Sequence, residues 1–123
     1  MIKKILIIGG NGFLGFNIAK KLKSKNYSIV ILCKKKPERE KFIKKIKYLY
    51  CNINNFQKLK KKIVQDFDCV INFSGNINHN NKKQVYDIHF NGFKNILKLV
   101  ENKNIKLFIQ AGSSLEYGKQ TSP

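Results

Sequence analysis

Ile5-Leu6-Ile7-Ile8-Gly9-Gly10-Asn11-Gly12-Phe13-Leu14-Gly15, following Lys3-Lys4, reads as a strand that runs straight into a glycine-rich turn. Four consecutive apolar residues are what a strand buried on both faces looks like. Asn17-Ile18-Ala19-Lys20-Lys21-Leu22 then continues as an amphipathic helix. Strand, glycine turn and helix in this order form the dinucleotide-binding fingerprint. One glycine allows the turn, one lets the backbone approach a pyrophosphate, and one permits close helix–strand packing. Phosphates would rest on the free N–H groups at the helix N-terminus, where the dipole favours negative charge. Gly10, Gly12 and Gly15 satisfy the G-x-G-x-x-G spacing, and Gly9, Gly12 and Gly15 the wider G-x-x-G-x-x-G spacing. With Asn11, Phe13 and Leu14 they make the candidate cofactor-binding loop. A glycine turn without a ligand is the competing reading, and the flanking strand and helix weigh against it.

Outward from that corner, helix and strand patterns alternate with no linker or low-complexity break. The expected strands are Lys3–Ile8, Ser28–Cys33, Ile46–Tyr50, Cys69–Phe73 and Lys106–Ala111. Between them lie expected helices at Gly12–Lys25, Pro37–Lys45, Phe56–Gln65 and Lys82–Lys103. The last carries an apolar stripe of Val85, Ile88, Ile96 and Leu99. Alternation with right-handed crossovers implies an α/β fold, a Rossmann-type doubly wound parallel sheet ordered 3-2-1-4-5 and cut short after the fifth strand. The 123 residues make one expected domain, 1–123. Its last strand, Leu107–Ala111, would be an unpaired edge with apolar neighbours, a site for aggregation or pairing.

Composition narrows the function classes. The net charge of +18 invites a nucleic-acid reading, yet of 25 basic residues only Arg39 is arginine, the residue that supplies most bidentate base and phosphate recognition. The lysines are spread along helices as solvated faces would be, so no specific nucleic-acid partner is expected, only nonspecific attraction to polyanions at low salt. No apolar run approaches a membrane span and no signal peptide is visible, so a cytoplasmic protein without a membrane partner is expected. Cys33, Cys51 and Cys69 are widely spaced without a Cys-x-x-Cys, which fits a reducing compartment and argues against a metal site.

The chain resembles the N-terminal portion of the NAD(P)-dependent epimerase/dehydratase family, extended short-chain dehydrogenases/reductases that act on nucleotide sugars. Four segments carry the resemblance in order: Gly9–Gly15, Asn52-Ile53, Phe73-Ser74-Gly75, and Ser113-Ser114-Leu115-Glu116-Tyr117-Gly118. The resemblance implies hydride transfer at a sugar carbon, with a nucleotide sugar as substrate of the full-length parent, NAD or NADP as cofactor, and a homodimer left open. Members that prefer NAD usually end the second strand with an acid. Here Cys33 stands there, followed by Lys34 and Lys35. A lysine attracts the 2′-phosphate that a carboxylate would repel, which favours NADP slightly.

Asn52 stands where the family often has an Asp bonded to the adenine amine, and an amide oxygen can accept that bond. Phe73-Ser74-Gly75 resembles the small-residue step beneath the nicotinamide ribose. Ser113 takes the place of the Ser/Thr that bonds the sugar's reacting oxygen. The Tyr-x-x-x-Lys pair that supplies the family's general acid/base does not occur up to Pro123, so this stretch alone is expected to be catalytically silent. Glu116 lies one place off the usual dehydratase acid and keeps the reading of a solvated carboxylate. His89 replaces the family's helix asparagine. Lying at i+4 from Val85, it is expected as a core histidine, with a proton-path role as the alternative; His79 is expected to be exposed. A non-catalytic dinucleotide-sensing module is the other function class that fits.

Overall fold

The computed structural model describes residues 1–75, 80–113 and 118. Its strands are β1 (Lys4–Ile8), β2 (Ser28–Cys33), β3 (Lys47–Tyr50), β4 (Cys69–Asn72) and β5 (Leu107–Gln110). Its α-helices are α1 (Phe13–Ser24), α2 (Phe56–Lys62), α3 (Lys82–Tyr86) and α4 (Phe93–Glu101). All four strand pairings are parallel, and the order across the sheet is β3-β2-β1-β4-β5. In this register Ile5 faces Ile29 on one side and Cys69 on the other.

Strand alternation divides the apolar residues into two cores. Leu6, Ile8, Val30, Leu32 and Val70 pack with Leu59 of α2 and with Ile96 and Leu99 of α4. Ile5, Ile7, Ile29, Ile31 and Ile71 point to the opposite face, with Ala19 of α1. A sheet covered on both faces explains why β1, β2 and β4 read as continuous apolar runs rather than alternating ones. β5 departs from that pattern. Phe108 packs on the first core, but Leu107 and Ile109, on the other face, are 42% and 41% exposed.

Local signals set the helix ends. Helix α1 closes through Asn26, which takes a left-handed φ of 65° while Tyr27 N–H donates to the Leu22 carbonyl. Asn55 caps α2 by accepting from Lys58 N–H at 3.0 Å, and Asn81 caps α3 by accepting from Gln84 N–H at 3.1 Å.

Two expected helices are corrected. Pro37–Lys45 forms only a 3₁₀ turn at Arg39–Lys41. Phe42 is drawn into extended backbone so that its ring stacks on Tyr48 at 5.0 Å, and Ile43 N–H donates to the Tyr48 hydroxyl. Lys45 then turns with φ 62°. These contacts with β3 outweigh local helix propensity. The expected helix from Lys82 to Lys103 is interrupted by a π segment at Asp87–Gly92. Gly92 lies so close to Ile53 that a Cβ there would stand 2.5 Å from the Ile53 side chain, and Asn95 Nδ2 donates to the Ile53 carbonyl at 2.9 Å. The wider π turn lets the helix follow the chain after β3, a contact no periodicity reveals.

At the opposite end of the sheet, Asp68 ties three strands together. Its carboxylate accepts from the N–H groups of Lys3 and Lys4 and from Lys106 Nζ, each at 3.0 Å. Those backbone donors, with Lys106, hold its carboxyl well below the usual carboxylate range. A lowered folded pKa adds stability that is present above the unfolded value, about 4, and is lost as pH falls through the folded one. Asp68→Asn therefore lowers the melting temperature at pH 7. Thermal melts of both proteins from neutral to strongly acid pH should show the gap closing below about pH 4; a gap constant with pH would contradict this role.

Candidate functional site

A cleft of about 490 Å³ opens at the carboxyl ends of β1, β2, β3 and β4. It sits where the sheet order reverses between β1 and β4, the crevice in which open α/β sheets take ligands. Its floor is the corner between β1 and α1. Gly9 continues the ladder, donating to the Leu32 carbonyl at 2.8 Å, and then turns with φ +74°. A Cβ at Gly9 would lie 2.8 Å from the backbone of Phe73 and Ser74, so the turn and the end of β4 require each other.

The remaining glycines of the corner differ in what limits them. A Cβ on Gly15 would stand 2.5 Å from the Gly9 oxygen and 2.6 Å from the Gly10 Cα, which sets how closely α1 approaches β1. Gly10 is limited by the side chain of Ile31. Gly12 is limited by nothing comparable: its nearest such neighbour is the Gly9 oxygen, at 3.5 Å, and it is exposed in the cleft. The turn, open and close-packed positions thus fall on Gly9, Gly12 and Gly15, the wider of the two spacings.

The walls come from the other strand ends. Cys33 and Lys34 follow β2, and Cys51, Asn52, Ile53 and Asn54 follow β3. Asn54 N–H donates to Asn52 Oδ1 at 3.0 Å, so the side-chain oxygen of Asn52 is engaged inside its own turn. Phe73 N–H donates to the Ile8 carbonyl at 2.8 Å, leading Phe73, Ser74 and Gly75 along the rim beside Gly9. Asn72, 1% exposed, anchors that rim: its Oδ1 accepts from Ser74 N–H at 3.0 Å and from Ser74 Oγ at 2.6 Å, while its Nδ2 donates to Gln110 Oε1.

Of the residues singled out in the sequence, Gly9, Asn11, Gly12, Cys33, Lys34, Asn52, Ile53, Phe73, Ser74 and Gly75 meet at the cleft. Gly10 and Gly15 lie beneath it as packing positions, and Phe13 and Leu14 are exposed on the first turn of α1. Lys35 is outside the lining and reaches it only through its carbonyl, 3.5 Å from Asn11 Nδ2. Ser113, exposed beyond β5, is also outside the lining. Ser114, Glu116, Tyr117 and His79 fall outside the described residues.

His89 corrects an expectation. It is exposed on the π segment rather than in the core, and its ring lies over Gly75, where a Cβ would be 3.1 Å away. Asp87 and Ile88 of the π segment and Gln84 of α3 also line the cleft, which the sequence reading missed because an unbroken helix was expected. Cys33 and Cys51 are joined by a backbone hydrogen bond of 3.0 Å, yet their side chains belong to opposite cores. Burial pushes the Cys33 thiol up to about 11, which keeps it protonated at neutral pH.

A parallel sheet ordered 3-2-1-4-5 with a glycine turn at its switch point defines a Rossmann-type fold. Residues 5–123 match the NAD dependent epimerase/dehydratase family, and the chain belongs to it. It is 30% identical to Protein CapI of Staphylococcus aureus across 97% of this chain and 40% of that protein. Among solved structures, ADP-L-glycero-D-manno-heptose-6-epimerase of Helicobacter pylori is 26% identical, with a TM-score of 0.82 over 98% of this chain and 42% of the enzyme. The Bordetella bronchiseptica enzyme WbmG, solved in complex with NAD and UDP, shares the fold at 16% identity and a TM-score of 0.88, over 99% of this chain and 41% of that one. The chain thus spans about two fifths of the length of these relatives. Among the described residues no helix is long and apolar enough to cross a membrane.

Proposed function

We propose that this chain is the dinucleotide-binding part of an NAD(P)-dependent enzyme that acts on nucleotide sugars. The observation that carries the reading is Gly12, a glycine with neither a left-handed φ nor a close contact to explain it, placed at the N-cap of α1 and facing the cleft. A position kept free of side chain where a helix N-terminus meets a cleft suits a pyrophosphate. Family membership and the NAD held by the fold relative WbmG point the same way. When bound, the dinucleotide would take and return a hydride at a sugar carbon.

In this reading the backbone of Gly9–Gly15 holds the pyrophosphate, Cys33 and Lys34 border the adenosine ribose, and Asn52 and Ile53 border the base. Phe73-Ser74-Gly75 passes under the nicotinamide ribose, and Ser113 orients the reacting hydroxyl of the sugar. The proton-transferring pair would come from the parent beyond this stretch.

Calorimetric titration with NAD(H) and NADP(H) tests the reading. Saturable binding of either supports it, and no binding of any of the four overturns it. The slight preference for NADP rests on Lys34, which lines the cleft, and less on Lys35, which does not. Reversing both in Lys34→Asp/Lys35→Asp should move the NADP/NAD affinity ratio toward NAD by roughly tenfold, two reversed partly screened contacts of about 0.7 kcal/mol each. An unchanged ratio would assign these lysines to solvated surface.

A further inference from the structure

Asp87 is the one acidic residue in the described lining of the cleft, an odd neighbour for a site read as taking a pyrophosphate. Its position follows from the π segment, which begins at Asp87 and is locked to the chain after β3 through Gly92 and the Asn95–Ile53 hydrogen bond. The carboxylate is itself held: Asn91 Nδ2, one turn along, donates to its Oδ1 at 3.0 Å. A carboxylate has two acceptor oxygens, so Oδ2 keeps capacity for a ligand donor.

Across the same cleft, Asn52 offers the complementary group. The Asn54 N–H can only donate, so the oxygen of the Asn52 amide must face it and the Nδ2 donor is left for a ligand. Ile53 and Ile88 line the cleft beside these two polar residues and pack in the same core. At Asn52 and Asp87 the cleft thus offers a donor and a held acceptor beside apolar surface that suits a flat ring. Adenine presents that pattern in reverse, an amine donor at position 6 beside a ring-nitrogen acceptor. A base with a carbonyl at position 6 would set an acceptor against the carboxylate.

We infer that Asp87 selects adenine in this cleft by accepting a hydrogen bond from its exocyclic amine, an inference that rests on the dinucleotide-binding reading above. Asp87 is a specificity residue in this account: it contacts the base and takes no part in proton or hydride transfer.

The test compares NAD with its hypoxanthine analogue, in which the amine is a carbonyl, by calorimetry on the wild-type chain and on Asp87→Ala. The wild type should favour NAD by about tenfold or more, the size of a charge-assisted hydrogen bond exchanged for repulsion. In Asp87→Ala the preference should fall to within about threefold of unity, with NAD losing most of the affinity. If the alanine variant fails to fold by circular dichroism, Asp87→Asn carries the same test, since a neutral amide accepts less strongly and can turn its donor to the carbonyl. A preference unchanged in the variants, or absent in the wild type while NAD still binds, overturns the role of Asp87. Failure of the wild type to bind either dinucleotide overturns the site reading itself.

Discussion

Gly15→Ala is expected to lower the melting temperature by roughly 10 °C and to remove dinucleotide binding. The added Cβ would stand 2.5 Å from the Gly9 oxygen and 2.6 Å from the Gly10 Cα. Both are backbone atoms, so no rotamer change relieves the clash. Helix α1 must move away from β1, and Ala19, one turn along and fully buried, moves with it and opens the core formed by Ile5, Ile7 and Ile31. Overpacking against a rigid backbone costs about 3 kcal/mol, a large share of a small domain's roughly 5–15 kcal/mol. Thermal melts followed by circular dichroism, with calorimetry on whatever remains folded, read both effects. A variant that melts with the wild type and still binds would mean that α1 and β1 do not meet as closely as these distances state.

The contrast between strong and weak sequence signals has a physical basis. β1, β2 and β4 are buried on both faces, so burial alone dictates their composition and their apolar runs are unambiguous. The glycine corner was legible because backbone geometry admits few alternatives there. The π segment was not, because nothing in the Lys82–Lys103 periodicity encodes the approach of Ile53 to Gly92. That contact joins residues far apart in the chain, and it moved His89 out of the core and brought Asp87 to the cleft. The Pro37–Lys45 helix failed for a similar reason: Phe42 and Ile43 gain more from Tyr48 on β3 than from a helical turn. Local preference was legible, and long-range packing that overrides it was not.

Gly12→Val separates ligand from scaffold. The Gly12 backbone sits at φ −75° and ψ 173°, extended geometry that a β-branched residue adopts without strain. Its hydrogen bonds, N–H to the Gly9 carbonyl at 3.2 Å and carbonyl from Phe16 N–H at 2.9 Å, do not involve a side chain. A Cβ there meets nothing closer than the Gly9 oxygen at 3.5 Å, and valine is a poorer N-cap than glycine, so the melting temperature should fall by only a few degrees, about 1 kcal/mol. Binding is a different matter. The new side chain would occupy the space above the N-terminus of α1, where a pyrophosphate needs direct backbone N–H contact. Losing two charge-assisted hydrogen bonds of about 1.5 kcal/mol each weakens Kd by roughly a hundredfold. A folded variant with undiminished affinity for NAD(P) would place the ligand elsewhere. The opposite result, a variant that binds poorly because it no longer folds, would show that Gly12 serves packing as Gly15 does. Only a stable protein that has lost its ligand agrees with the open space at this position.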